Sequence, residues 1–106
     1  MDFQKGVIIV VFYDFEVFKE DWLAVFIDVT RKTEKVIINS PDELKALYEA
    51  NVKDIWVGYN NRHYDQYIMK GILLGMNPKD INDWIIVQNK EGWQYSTVFN
   101  KVPMIN

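Results

Sequence analysis

Near its amino terminus the chain carries one long apolar stretch, Val7 to Phe18, with two acids, Asp14 and Glu16, set inside it. β-Branched and aromatic residues fill both alternating sets of positions, which predicts a strand covered on both faces. Residues two apart on a strand project to the same side, so Asp14 and Glu16 are expected side by side. Burying an unpaired carboxylate is costly, and bringing two like charges together is worse. Three arrangements resolve the cost. The acids lie at the solvated end of the strand, or one pairs with a Lys or Arg, or a divalent cation bridges them. Oxygen-only ligation of the last kind suits Mg²⁺ or Mn²⁺.

The rest of the chain bounds the answer. Its 106 residues fit one small domain, and with 49% hydrophobic residues there is ample material for a core. The formal net charge of −3 lacks the basic surface by which nucleic-acid binders are usually known. A carboxylate-built metal site is itself acidic, however, with the metal supplying the positive charge. The absence of cysteine removes disulfides and thiolate metal sites. The opening residues do not read as a secretory signal, and no stretch reaches the roughly 20 apolar residues of a membrane span. A soluble, cytoplasmic protein without membrane contact is therefore expected.

Periodicity and turn signals divide the chain into a short series of elements. After Val7–Phe18 comes a polar turn, a second strand Trp22–Val29, another turn, and a third strand Lys35–Asn39, together an antiparallel meander. Ser40 and Pro41 then mark a helix start, with Glu43 placed for a capping box and Leu44, Leu47 and Tyr48 as the apolar stripe. Asp54–Tyr59 reads as a fourth strand, parallel to a neighbour because a helix precedes it. Asn60 and Asn61 break the chain before a second amphipathic helix, about Arg62 to Met76. Pro78 opens a short third helix, although WIIV at 84–87 also fits a strand, and the tail from Lys90 is ambiguous. The order predicts an α/β fold with a mixed sheet, three antiparallel strands plus a parallel one, flanked by helices.

Asp65 falls in the first turn of the second helix, just past the fourth strand. If the first and fourth strands are neighbours, Asp14, Glu16 and Asp65 can gather into one oxygen-lined site. The plainer account is that Asp65 favours the positive end of its helix, worth roughly 0.3–1 kcal/mol.

The segments YDFEVF and GYNNRHYDQYI resemble the first two motifs of the DEDD 3′-to-5′ exonucleases, whose fold is ribonuclease H-like. Asp14-Phe15-Glu16 matches the D-x-E at the end of the first strand, and Asn60 or Asn61 followed by Tyr64-Asp65 matches the second motif. Across nearly its whole length the chain looks like the amino-terminal proofreading region of bacteriophage-type DNA polymerases. The resemblance implies two-metal hydrolysis at the 3′ end of single-stranded DNA, with Mg²⁺ or Mn²⁺ held by Asp14, Glu16 and Asp65. It also implies contacts to the terminal nucleotide from Val17 and Phe18, and from Asn60, Asn61 and Tyr64. The third motif, a Tyr or His a few residues before a fourth Asp, is missing, and Asp80 and Asp83 follow the second motif too soon to supply it. The expectation is thus a single partial exonuclease-like domain over 1–106, incomplete at the carboxy terminus and weakly active or inactive alone. Its partners would be the rest of a polymerase chain, or a second copy through the exposed truncated surface.

The competing reading is a non-catalytic α/β interaction module with an aromatic tail that binds a protein. Trp22 and Trp56 are expected in the core, and Trp84 and Trp93 on a contact surface. His63, Arg62 and Lys70 are expected to be solvated, with a phosphate contact as the alternative.

Overall fold

The computed structural model describes residues 8–105. Strand β1 spans Val10–Val17, β2 Trp22–Asp28, β3 Thr33–Ile38 and β4 Ile55–Gly58. They form one sheet in the order β3-β2-β1-β4, with β1 antiparallel to β2 and parallel to β4. The meander and the parallel fourth strand thus stand as the pattern predicts, and β1 begins at Val10, later than the apolar run, with the Ile9 carbonyl accepting the Ile55 N–H at 3.0 Å. Val7 lies outside the described residues.

Helix α1, Pro41–Ala50, connects β3 to β4. Its start is fixed by Ser40, whose Oγ accepts the Glu43 N–H at 3.3 Å, and by Pro41 in the first turn, where no amide donor is needed. The stripe delivers Leu44 to full burial, with Leu47 and Tyr48 at its margin. Replacing Ser40 with Ala removes the side-chain acceptor of the Glu43 amide, so unfolding in urea should show a loss of about 1 kcal/mol. A loss under about 0.2 kcal/mol would mean that solvent satisfies the amide equally well.

Helix α2 spans Gln66–Leu73 and α3 Pro78–Asn82, the latter continuing as one wide helical turn through Asp83–Val87. The segment 84–87 is therefore helical rather than strand: Asn77 caps α3 through the Lys79 N–H at 2.9 Å, and among the described residues no strand pairs with 84–87. In the tail, short turns at Gly92–Gln94 and Thr97–Lys101 bring Phe99 and Val102 back to the core. The chain then reaches β4, where Ile105 makes a parallel bridge to Ile55 and accepts the Trp56 N–H at 2.7 Å.

All this material lies on one side of the sheet. Val11, Tyr13 and Phe15 of β1, Ala24 and Phe26 of β2, and Trp56 of β4 point toward α1 and α2, where they meet Leu44, Ile68, Met69 and Ile72. Tyr13, Phe26 and Trp56 pack edge-on and stacked with ring centroids 5.5–6.2 Å apart. The Trp56 Nε1–H donates to the Asn51 carbonyl at 3.0 Å, so even its polar edge is satisfied. Trp22 is buried as expected.

The opposite face is open, which corrects the expectation of a strand covered twice. Phe12, Ile27, Val36, Ile38 and Val57 are exposed there, Ile38 at 60%. An apolar alternation on both faces is what a doubly covered strand needs, but the described chain covers only the face with the larger aromatics. Among the described residues no helix is long and apolar enough to cross a membrane.

Candidate metal site at the end of the first strand

Asp14 and Glu16 project from β1 onto the open face and are exposed, as their spacing requires. Asp65 is 1% exposed and is placed by backbone geometry rather than by a helical face. After Gly58 the chain leaves the sheet, while β1 runs on past Tyr13, the last residue paired to β4. The amide of Phe15 therefore faces an edge with no strand beside it, and a side-chain carboxylate fills the gap. Asp65 Oδ1 accepts the Phe15 N–H at 3.0 Å and Oδ2 accepts the Asn60 N–H at 2.7 Å.

A wide helical turn, Asn61–Asp65, makes this possible. The Asn60 carbonyl accepts both the Tyr64 N–H at 2.8 Å and the Asp65 N–H at 3.1 Å, a five-residue step that rotates Asp65 toward the sheet edge before α2 begins. Asn61 fixes the turn to the core: its Oδ1 accepts the Tyr13 hydroxyl proton and its Nδ2 donates to the Trp56 carbonyl at 3.2 Å.

Gly58 completes the cradle. A Cβ there would lie 2.9 Å from Asn61 Cβ and 3.0 Å from both Asp65 Cβ and Oδ2, all groups already held by hydrogen bonds. Gly58→Ala should accordingly cost roughly 1–3 kcal/mol in urea unfolding, the usual penalty of overpacking. A neutral outcome would show that the Asp65 turn yields freely.

The Asp14 carboxylate lies within hydrogen-bonding reach of the Asp65 carboxylate. Burial pushes the Asp65 carboxyl above its ordinary range; the two amides pull it back, and the negative charge of Asp14 pushes it up again. Tyr64 stands beside the pair, its hydroxyl donating to Asn82 Oδ1 at 2.5 Å. Its ionisation is pushed up to about 12, first by burial and then by the charges of Asp65, Asp14 and Asp83. The result is a carboxylate pair from distant parts of the chain, and among the described residues no Lys or Arg is bonded to either member.

The body of α2 packs on the face opposite Asp14 and Glu16, and only its entry turn reaches the strand end. Asp14 and Asp65 are brought together. Glu16 shares the face of Asp14, but no three acidic or histidine side chains among the described residues close around one point. Val17 is half-buried and Phe18 half-exposed just beyond them. Asn60 serves through its backbone, and the Asn61 and Tyr64 side chains are engaged within the protein. His63 and Arg62 are exposed, the former 3.4 Å from the Glu91 carboxylate. Lys70 is part-buried on α2, bonded to Gln66 Oε1 at 3.0 Å, and burial lowers its pKa. Trp84 is half-buried, packing edge-on with Tyr95, whereas Trp93 is 61% exposed.

Sequence reasoning missed the amide-bridging role of Asp65. The signal was present in the pair Gly58 and Asp65, a residue without a side chain ending a strand just before an acid at a helix entry. Comparison with protein-family models, curated proteins and solved structures finds no match for this chain.

Proposed function

We propose that Asp14 and Asp65 hold a hard divalent cation, Mg²⁺ or Mn²⁺, and that the site serves phosphodiester hydrolysis of the 3′-to-5′ exonuclease kind. One observation carries the reading: two carboxylates from distant segments meet at the end of a central strand, with no Lys or Arg among the described residues bonded to either. The donor set is all oxygen, which fits these ions. Each Asp65 oxygen accepts one amide hydrogen and, as a carboxylate oxygen, has the lone pairs to accept a second partner.

Glu16, on the same face two residues on, stands outside the Asp14–Asp65 pair among the described residues and would have to swing toward it to serve as a third ligand. A bound dication of this class lowers the pKa of an attacking water and stabilises charge on a leaving oxygen. The protein's own share is positional. The Phe15 and Asn60 amides fix both Asp65 oxygens, the Tyr64–Asn82 hydrogen bond ties the entry turn to α3, and Phe18 offers an exposed ring at the strand end for a terminal base. The sheet order and the parallel bridge at Ile105 support a ribonuclease H-like arrangement, in which the chain would form part of a proofreading domain of a phage-type polymerase.

A 3′-labelled single-stranded DNA tests the activity. Slow shortening in Mn²⁺, absent in EDTA and absent with Asp14→Asn, is the expected result for a chain that carries only part of the family's motif set. Shortening that persists in the Asp14→Asn protein would remove this site from the chemistry.

A further inference from the structure

The open face of the sheet has a pattern of its own, which shares Asp14 and Glu16 with the ion site proposed at its end. Three cross-strand rows lie on it: Glu16–Leu23–Ile38, Asp14–Val25–Val36 and Phe12–Ile27–Glu34, the last continuing to Val57 of β4. The interior of this grid is apolar and substantially exposed, with Val36 at 49% and Ile38 at 60%. Its charged positions are all acidic: Asp14 and Glu16 on β1, and Glu34 at the diagonally opposite corner on β3. Along β1 to β4 among the described residues, no Lys or Arg projects onto this side; Lys35 alternates to the other. Apolar patches of this extent mark contact surfaces.

Three occupants compete for such a face, and charge separates them. A second copy docked about a twofold axis would set these carboxylates against their own kind, which costs association energy. An anionic lipid surface is repelled by the same groups, and a nucleic-acid backbone finds no cation among the described strand residues of this face away from the proposed ion site. A helix with an apolar stripe flanked by Lys or Arg satisfies both parts of the pattern. Four strands about 4.8 Å apart leave room for one such helix, whose diameter is about 10 Å.

We infer that this face is a docking surface for a basic amphipathic helix from a partner protein, seated on Val25, Ile27, Val36 and Ile38 with its cations toward Glu16 and Glu34.

Two synthetic helical peptides of about four turns test it, one alternating Leu and Lys in an amphipathic pattern and the other Leu and Glu. In amide-resolved NMR titration of the intact chain, the Leu/Lys peptide should shift β1–β3 residues of the open face. Its affinity should fall at least about tenfold as NaCl is raised from roughly 0.05 to 0.5 M, since these charges are exposed to screening. Glu34→Lys should weaken that peptide and admit the Leu/Glu one, and Val36→Lys, at an exposed position that leaves the core untouched, should abolish binding of both. Equal binding of the two peptides, binding of neither, or a stable homodimer in sedimentation that Val36→Lys dissolves would each overturn the proposal.

Discussion

Asp65→Ala should destabilise the protein by roughly 2–5 kcal/mol, more than any other removal of a charged side chain. The loss does not come from the charge. It comes from the Phe15 and Asn60 amides, which lie at the sheet edge with Asp65 as acceptor at 3.0 and 2.7 Å. A buried donor left without a partner costs about 1–3 kcal/mol; the Phe15 amide is buried and bears that cost in full, the Asn60 amide is part-buried and bears a share of it. Small domains hold only about 5–15 kcal/mol in total, so the variant should melt at least about 10 °C lower. Asp65→Asn keeps one acceptor oxygen and should lose less. Asp80→Ala removes an exposed acid one helix further on and should stay within about 0.5 kcal/mol of the wild type. Equal stability for the Asp65 and Asp80 variants in calorimetry would show that water reaches the two amides and that the edge is not closed as described.

Asp14→Asn should act in the opposite direction on stability while abolishing ion binding. Asp14 is exposed and sits against the buried Asp65 carboxylate, so its charge only repels. Removing it in EDTA should gain about 0.5–1 kcal/mol, the small size reflecting solvent screening on the Asp14 side. The pH dependence follows from the direction of the Asp65 shift. Its pKa is raised in the fold above the ordinary 3.8, so the folded state binds that proton more tightly than the unfolded state. This contribution is full below the unfolded pKa and is lost as pH rises through the higher folded value. In the Asp14→Asn protein the Asp14 part of the shift is gone, so the stability difference between variant and wild type should open as pH rises from about 4 toward neutrality. With Mg²⁺ near ten times its dissociation constant the order should invert, because the wild type alone gains about 1.4 kcal/mol of linkage. A stabilising residue would lose stability on removal under both conditions; a metal-site residue loses it only when the ion is present.

The strand order was legible because alternation and turn chemistry agree in the first forty residues. The polar turns at Lys19–Asp21 and Thr30–Glu34 leave a meander as the simplest solution, and Ser40-Pro41 announces the helix that makes β4 parallel. The open face was not legible. Phe12, Val25, Val36 and Val57 are as apolar as the residues across the sheet, and an alternation shows which residues share a side without showing what covers that side. The Asp65 position was half legible. Its place after a strand and before a helix was readable, but the five-residue turn step that aims it at the Phe15 amide arises from a tertiary need, an unpaired donor at the sheet edge. The bridge at Ile105 was invisible for a related reason, since one residue pairing to β4 leaves no periodicity. Asn61 read as a ligand candidate, whereas its amide is committed to Tyr13 and Trp56.

Crystals of the wild-type chain soaked in Mn²⁺ and measured near the manganese absorption edge give the most direct test. The account predicts one anomalous peak within coordination distance, about 2.0–2.3 Å, of carboxylate oxygens from both Asp14 and Asp65, absent from Asp14→Asn crystals treated identically. An ion elsewhere on the surface, with these two carboxylates unchanged and unliganded, would contradict it.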